Sequence, residues 1–166
     1  QSILITDDAG FADRVDAEVE RQLALLPRQA IASNSWSAHG AIVVVAKLDD
    51  AVALVDRIAP EHLELAIDDA EAFLNKVRNA GAAFLGRYTP EAIGDYIAGP
   101  NHVLPTSRTA RFSSGLSVMD FVKRTSFVGC DAAALAQLGA AALPLAEAEG
   151  LQAHGRSIAI RLNRGS

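Results

Sequence analysis

Along these 166 residues the apolar pattern changes period several times, from two-residue alternation or unbroken runs to recurrences of three and four, and back again. Few architectures accept such a string. Ser2 to Thr6 is a short β-rich run. Asp7 or Asp8 can then cap a helix whose apolar positions Phe11, Val15, Val19, Leu23 and Leu26 recur every three or four residues, and Pro27 ends it. A short helical stretch from Arg28 to Ser33 leads into Ala41 to Ala46, whose Ile-Val-Val-Val run is that of a strand covered on both faces, in mid-sheet.

The alternation continues. Val52, Val55 and Ile58 form one stripe of a helix over Asp49 to Ile58, and Pro60 forces an extended start for Glu-His-Leu-Glu-Leu-Ala-Ile. In that strand His62, Glu64 and Ala66 face away from Leu63, Leu65 and Ile67. Asp68 or Asp69 caps a further helix through Arg78, and Gly81 closes it before the short strand Ala82 to Leu85. The order β-α-β-α-β-α-β predicts an α/β fold with a largely parallel sheet flanked by helices. The length suits one ordinary domain, or one domain with an appendage, and is too short for two full catalytic domains.

From Gly86 to Gly115 the character changes, with Gly94, Gly99, Pro90, Pro100 and Pro105 in between, and irregular backbone is expected. Long connections of this kind are often functional. Val118 to Arg124 and Phe127 to Val128 read as short ordered pieces. Asp131 caps an alanine- and leucine-rich helix that Pro144 is expected to interrupt, and the end of the chain reads as one more helix. A division into an α/β part over 1–116 and a mainly helical tail over 117–166 follows. Two tail helices seldom bury their apolar faces unaided, so a partner subunit is expected.

Charge and composition narrow the function. Fifteen Lys and Arg against 20 Asp and Glu give a net charge of −5 with the basic residues dispersed, which leaves no footprint for nucleic acid. Ala41 to Ala46, the longest apolar run, is far short of the roughly 18 residues that cross a bilayer. The first residues have neither a basic segment nor a long apolar one, so they do not read as a secretory signal. One cysteine, Cys130, cannot form an internal disulfide and has no His beside it; a small buried residue is the simpler reading, and the cytoplasm the expected compartment. The sequence contains neither of the two glycine-rich phosphate-binding patterns, nor a local metal motif.

The candidates for chemistry are therefore dispersed. Of the four histidines, His39 suggests nothing beyond a structural role. Glu61 and His62 offer an adjacent carboxylate and imidazole on one turn, two bases for an alcohol proton and for water. Against that, His62 stands at the entry to a strand, whereas sites in parallel sheets lie at the carboxyl ends. Asp95, Tyr96, Asn101 and His102 crowd the glycine- and proline-rich stretch, as a rigid site or as a surface turn with local hydrogen bonds. Glu149 and His154 are five residues apart, about 140° around an ideal helix, so they converge only if Gly150 bends the chain.

Three segments, RIAPEHLEL, IGDYIAGPNHVLPTSRTARFSSGLSVMDFVKRTS and AEAEGLQAH, together resemble histidinol dehydrogenase in order and spacing, and the resemblance runs from Gln1 to about Asn163. It implies an incomplete Rossmann-like α/β part of an NAD- and zinc-dependent enzyme of histidine biosynthesis, which oxidises L-histidinol to L-histidine through the aldehyde. It implies His62 as general base and Glu61 as the residue that activates water; Asp95 and His154 as zinc ligands; and His62, Asp95, His102, Glu149 and His154 as substrate-binding residues. NAD-binding residues are not assigned by it. In that family the tail is exchanged in a homodimer, so Glu149 and His154 complete the partner's site. The resemblance also places two further zinc ligands and most of the NAD site upstream of Gln1, which predicts negligible activity for this chain alone. A different reading is a non-catalytic structural or dimerisation module. A free-standing zinc hydrolase is disfavoured, because no local motif supplies three ligands and an open position.

Overall fold

The structure, a computed structural model, describes residues 1–163; Arg164, Gly165 and Ser166, at the edge of the resemblance, lie outside the described residues. The chain forms two compact units, Gln1–Phe121 and a second beginning at Val122.

The first unit is α/β. Strand β1 (Ile3–Thr6) leads through helices α1 (Ala9–Leu23) and α2 (Gln29–His39) to β2 (Ala41–Val44). The α1 start is the one expected: Asp8 is extended and its carboxylate accepts the Phe11 N–H at 2.9 Å. Helix α2 runs further than the expected Arg28 to Ser33. It stops only at Gly40, where a Cβ would overlap the Trp36 ring. A turn at Leu48–Asp50 and helix α3 (Ala51–Ile58) precede β3 (His62–Leu65), then α4 (Ala70–Leu74) and β4 (Ala82–Leu85).

Helix α4 is shorter than the expected stretch to Arg78, and Asp56 explains why. Its carboxylate, on α3, accepts the backbone N–H groups of Arg78 and Asn79 at 2.7 and 3.0 Å, which a continued helix would have bonded internally.

The strands pair in parallel, as predicted, in two pairs: β1 with β2, Ile3 opposite Ala41, and β3 with β4, His62 opposite Ala82. Among the described residues β2 is bonded to β1 alone, so the mid-sheet expectation for its Ile-Val-Val run is corrected, and Val44 is 50% exposed. The core lies on the other pair. Leu63 and Leu65 of β3 are buried against Ala51 and Val55 of α3 and Ala70 and Phe73 of α4, with Ile5 of β1 packed on the same cluster.

The opposite face of that pair carries His62 and Glu64, with Phe84 of β4 in register with Glu64. Here the irregular backbone expected after Gly86 contains helix α5 (Glu91–Tyr96) instead. Pro90 starts it with extended ψ, and the Glu91 N–H is taken by Glu64 Oε1 at 2.6 Å. Gly94 lets α5 close on the sheet, because a Cβ there would overlap the Phe84 ring.

In the second unit, Asp131 caps helix α6 (Ala132–Ala148) by accepting the Ala134 N–H at 2.7 Å. Pro144 sits within α6 and does not end it, contrary to expectation; it forfeits only its own bond to the preceding turn. Phe127 and Val128, expected in an ordered piece, have no regular secondary structure and are more than nine-tenths exposed. Gly150, at φ +69°, turns the chain into α7 (Gln152–Arg161). The N–H of Gly150 bonds Glu147 O at 2.9 Å and that of Leu151 bonds Ala146 O at 2.8 Å, the pairing of a Schellman cap. Gly139 then faces Ile158 and Leu162 of the α7 end, with no room for a Cβ. Among the described residues no helix is long and apolar enough to cross a membrane.

Candidate active site

The chemistry gathers where β3 meets α5. Ala59, buried and left-handed at φ 48°, closes α3, and Pro60 then directs the chain into β3. Backbone bonds from Gly81 to Pro60 O (2.9 Å) and from Ala82 to Glu61 O (2.8 Å) fix that entry. His62 is the first strand residue, on the face that α5 covers, with its ring 5.9 Å from the Phe84 ring.

Four residues apart on α5, Glu91 and Asp95 lie on one side of the helix and reach His62. His62 Nε2 lies 3.6 Å from Asp95 Oδ1 and 3.9 Å from Glu91 Oε1; the three side chains are 28%, 26% and 39% exposed. Each of the three offers a ligand atom, all within 4.8 Å of one another. His62 Nε2 is also the one buried side-chain N or O atom without a hydrogen-bond partner among the described residues. The Asp95 carboxyl, hydrogen-bonded beside it, pushes the Glu91 carboxyl above its usual range, and partial desolvation adds to this.

Asp95 therefore stands on a helix, not in a loop, with its carboxylate turned towards the His62 imidazole. His102 adjoins them: its Nδ1 is 3.1 Å from the Asp95 carbonyl oxygen. Asn101 serves the local turn, accepting the Val103 N–H at 2.9 Å and donating to Leu116 O at 2.6 Å. Tyr96 is exposed. Glu61 is half-buried and outside the cluster of three; its backbone oxygen holds Ala82, and its side chain makes no hydrogen bond or ion pair among the described residues. In the second unit Glu149 is the exposed cap of α6 and His154 is exposed on α7. His39 ends α2, exposed. Cys130 is exposed rather than buried, because it lies in the extended stretch before the α6 cap.

Sequence reasoning missed Glu91. The signal was present: a proline followed by Glu91 and, four residues on, Asp95 is a helix start with two carboxylates on one face. As for a metal, one imidazole nitrogen and carboxylate oxygens are donors that zinc accepts, and the unpartnered Nε2 shows that the cluster has ligand capacity to spare.

An α/β chain with a His-carboxylate cluster between strand β3 and helix α5 fits an enzyme site that moves protons or holds a metal. Residues 1–162 match the histidinol dehydrogenase family model, and the chain belongs to that family. It is 66% identical to a histidinol dehydrogenase of Rhodospirillum rubrum over 166 residues, covering 99% of this chain and 38% of that protein. Against one from Mesorhizobium japonicum it is 64% identical over 163 residues, covering 98% and 38%. The crystal structure of a histidinol dehydrogenase from Elizabethkingia anophelis superposes with a TM-score of 0.83 at 36% identity, covering 98% of this chain and 37% of that one. The chain thus spans about 38% of the length of these curated relatives.

Proposed function

We propose that this chain is the carboxyl-terminal part of an NAD- and zinc-dependent histidinol dehydrogenase, in which His62 is the base that removes the alcohol proton as hydride leaves the same carbon for NAD. The observation that supports this is the buried, unpartnered His62 Nε2 facing Asp95 and Glu91. A base must be held still and shielded from bulk water, and the Phe84 ring and α5 do both for the His62 imidazole.

In the same proposal Glu61 takes a proton from the water that adds to the aldehyde, His62 serves again in the second oxidation, and His102 contacts substrate. Asp95 and His154 would hold zinc, whose chemistry is to orient the substrate's amino and imidazole nitrogens. Glu149 would bind substrate. The tail expected over 117–166 would bring Glu149 and His154 to the partner's site in a homodimer, with the α/β part over 1–116 carrying the rest. The enzyme would work in the cytoplasm.

A chimera tests this, with the chain replacing the corresponding segment of the Rhodospirillum rubrum protein. Histidinol-dependent NADH formation is expected for it, and negligible turnover for the 166-residue chain alone. His62→Asn should lower kcat by roughly 100- to 10,000-fold with zinc retained, and Asp95→Ala should lose zinc. A His62→Asn chimera working at the unmodified rate would overturn the proposal. An association module is the second reading, favoured by the exposure of Phe112, Val118, Met119 and Phe121. It predicts a dimer whose stability ignores both substitutions.

A further inference from the structure

We propose that Glu64 is a positioning residue for this site: by accepting the Glu91 N–H, its carboxylate holds α5 at the distance from β3 at which the Asp95 carboxylate faces the His62 imidazole. What that arrangement serves rests on the proposed function; the arrangement itself does not.

Helix α5 cannot hold its own place. Six residues make less than two turns, well below the roughly 12–15 at which an isolated helix becomes even marginal in water. Its N-cap is Pro90, which has no polar side chain to offer, and no local cap bond forms. Among the described residues the first N–H of the helix is accepted instead by Glu64 Oε1, at 2.6 Å, from 27 residues earlier in the chain. At the other end the Asp95 carbonyl oxygen meets His102 Nδ1 at 3.1 Å, a partner in the following loop. Glu64 is thus the tie between α5 and the strand that carries His62.

The repeats of strand and helix turn this one bond into a register. His62 and Glu64 lie on the same face of β3, two residues or about 6.6 Å apart. Glu91 and Asp95 are four residues apart on α5, about 6 Å along its axis. The two intervals nearly match. Glu64 meets the Glu91 backbone at one end, and at the other His62 Nε2 stands 3.6 Å from Asp95 Oδ1, so closing the first rung sets the gap at the second. Gly94 against the Phe84 ring decides how close α5 can come, and the Glu64 bond opposes its lifting away.

Two substitutions separate the bond from the charge: Glu64→Ala removes the acceptor, and Glu64→Gln keeps an acceptor oxygen. Amide hydrogen exchange in the 166-residue chain is the first readout. In Glu64→Ala it should rise on the order of 10-fold at Glu91 and at Ile97, whose N–H bonds Ile93 O at 3.1 Å, and in Glu64→Gln it should stay within about 3-fold. The amides of Val55 and Phe73, in the core helices, should keep their rates in both. Unchanged exchange at Glu91 and Ile97 in Glu64→Ala overturns the proposal. So does Glu64→Gln behaving like Glu64→Ala, because the charge and not the bond would then be responsible. A rise at Val55 and Phe73 as large as that in α5 also overturns it, by making Glu64 a support of the whole unit.

In the chimera, Glu64→Ala should weaken zinc binding about 10- to 100-fold in competition with a chelator, with most of the affinity kept in Glu64→Gln. A merely structural Glu64 would lower the melting temperature and leave zinc affinity where it is, which would overturn the positioning role. Failure of the dehydrogenase reading shows itself separately: His62→Asn would then keep full turnover, whatever the exchange at α5 gives.

Discussion

The two strand pairs are built alike and buried differently. Both are parallel, four residues long and in straight register. The more apolar pair is the less covered: β2 reads Ala-Ile-Val-Val, yet all four residues stay at least partly exposed, and Thr6 is the only buried residue of β1. In β3, by contrast, His62 and Glu64 alternate with Leu63 and Leu65, and both leucines are buried. Cover makes the difference. Helices α3 and α4 close one face of β3–β4 through Val55 and Phe73, and α5 closes the other through Gly94 on Phe84. Polar side chains on the second face are then caught between a strand and a helix that cannot slide, and that is where the His62 cluster lies.

This contrast can be broken at several points. Phe73→Ala should have the largest effect, removing about 3–5 kcal/mol of stability through the cavity left against Leu63, Leu65 and Val55. Urea unfolding measures it, and a loss under about 1 kcal/mol would mean that the β3–β4 core is not the main one. Gly94→Ala comes next. The added methyl must displace Phe84 or lift α5, an overlap costing about 1–3 kcal/mol, against which the better helix propensity of alanine returns about 1 kcal/mol. A net loss near 1 kcal/mol is expected, together with a changed imidazole environment for His62 in a nitrogen NMR spectrum of the chain. Val44→Thr should do least, within about 0.5 kcal/mol, since half of that side chain's surface is already in water. A loss as large as that of Phe73→Ala would show that β2 is covered after all.

The local signals were legible wherever one residue decides one bond. Asp8 and Asp131 were readable as caps because a carboxylate at that position meets the third N–H of the helix, and both do so. Gly150 was named as the place where a bend could fall, with a continuous helix end as the alternative, and its left-handed φ, which suits a residue without Cβ, makes it the bend. The β3 alternation was readable from its period. The reading went astray where a distant partner intervenes. Helix α4 does not reach Arg78 because Asp56, 22 residues before Arg78, claims the N–H groups of Arg78 and Asn79, and α5 forms in a stretch rich in breakers because Glu64 anchors its first residue from 27 positions away.

The candidate site divides along the same line. His62 and Asp95 were both singled out from the sequence, on a pairing and a crowding of polar residues, and their neighbourhood was implied by resemblance. That Glu91 joins them and the side chain of Glu61 stands apart was decided by tertiary structure. A sequence specifies side-chain period and capping, because these act within a turn or two of chain. The Gly94 backbone resting on Phe84, and the Glu64 bond that sets the height of α5, join segments far apart in the chain, and those contacts placed a second carboxylate opposite the imidazole.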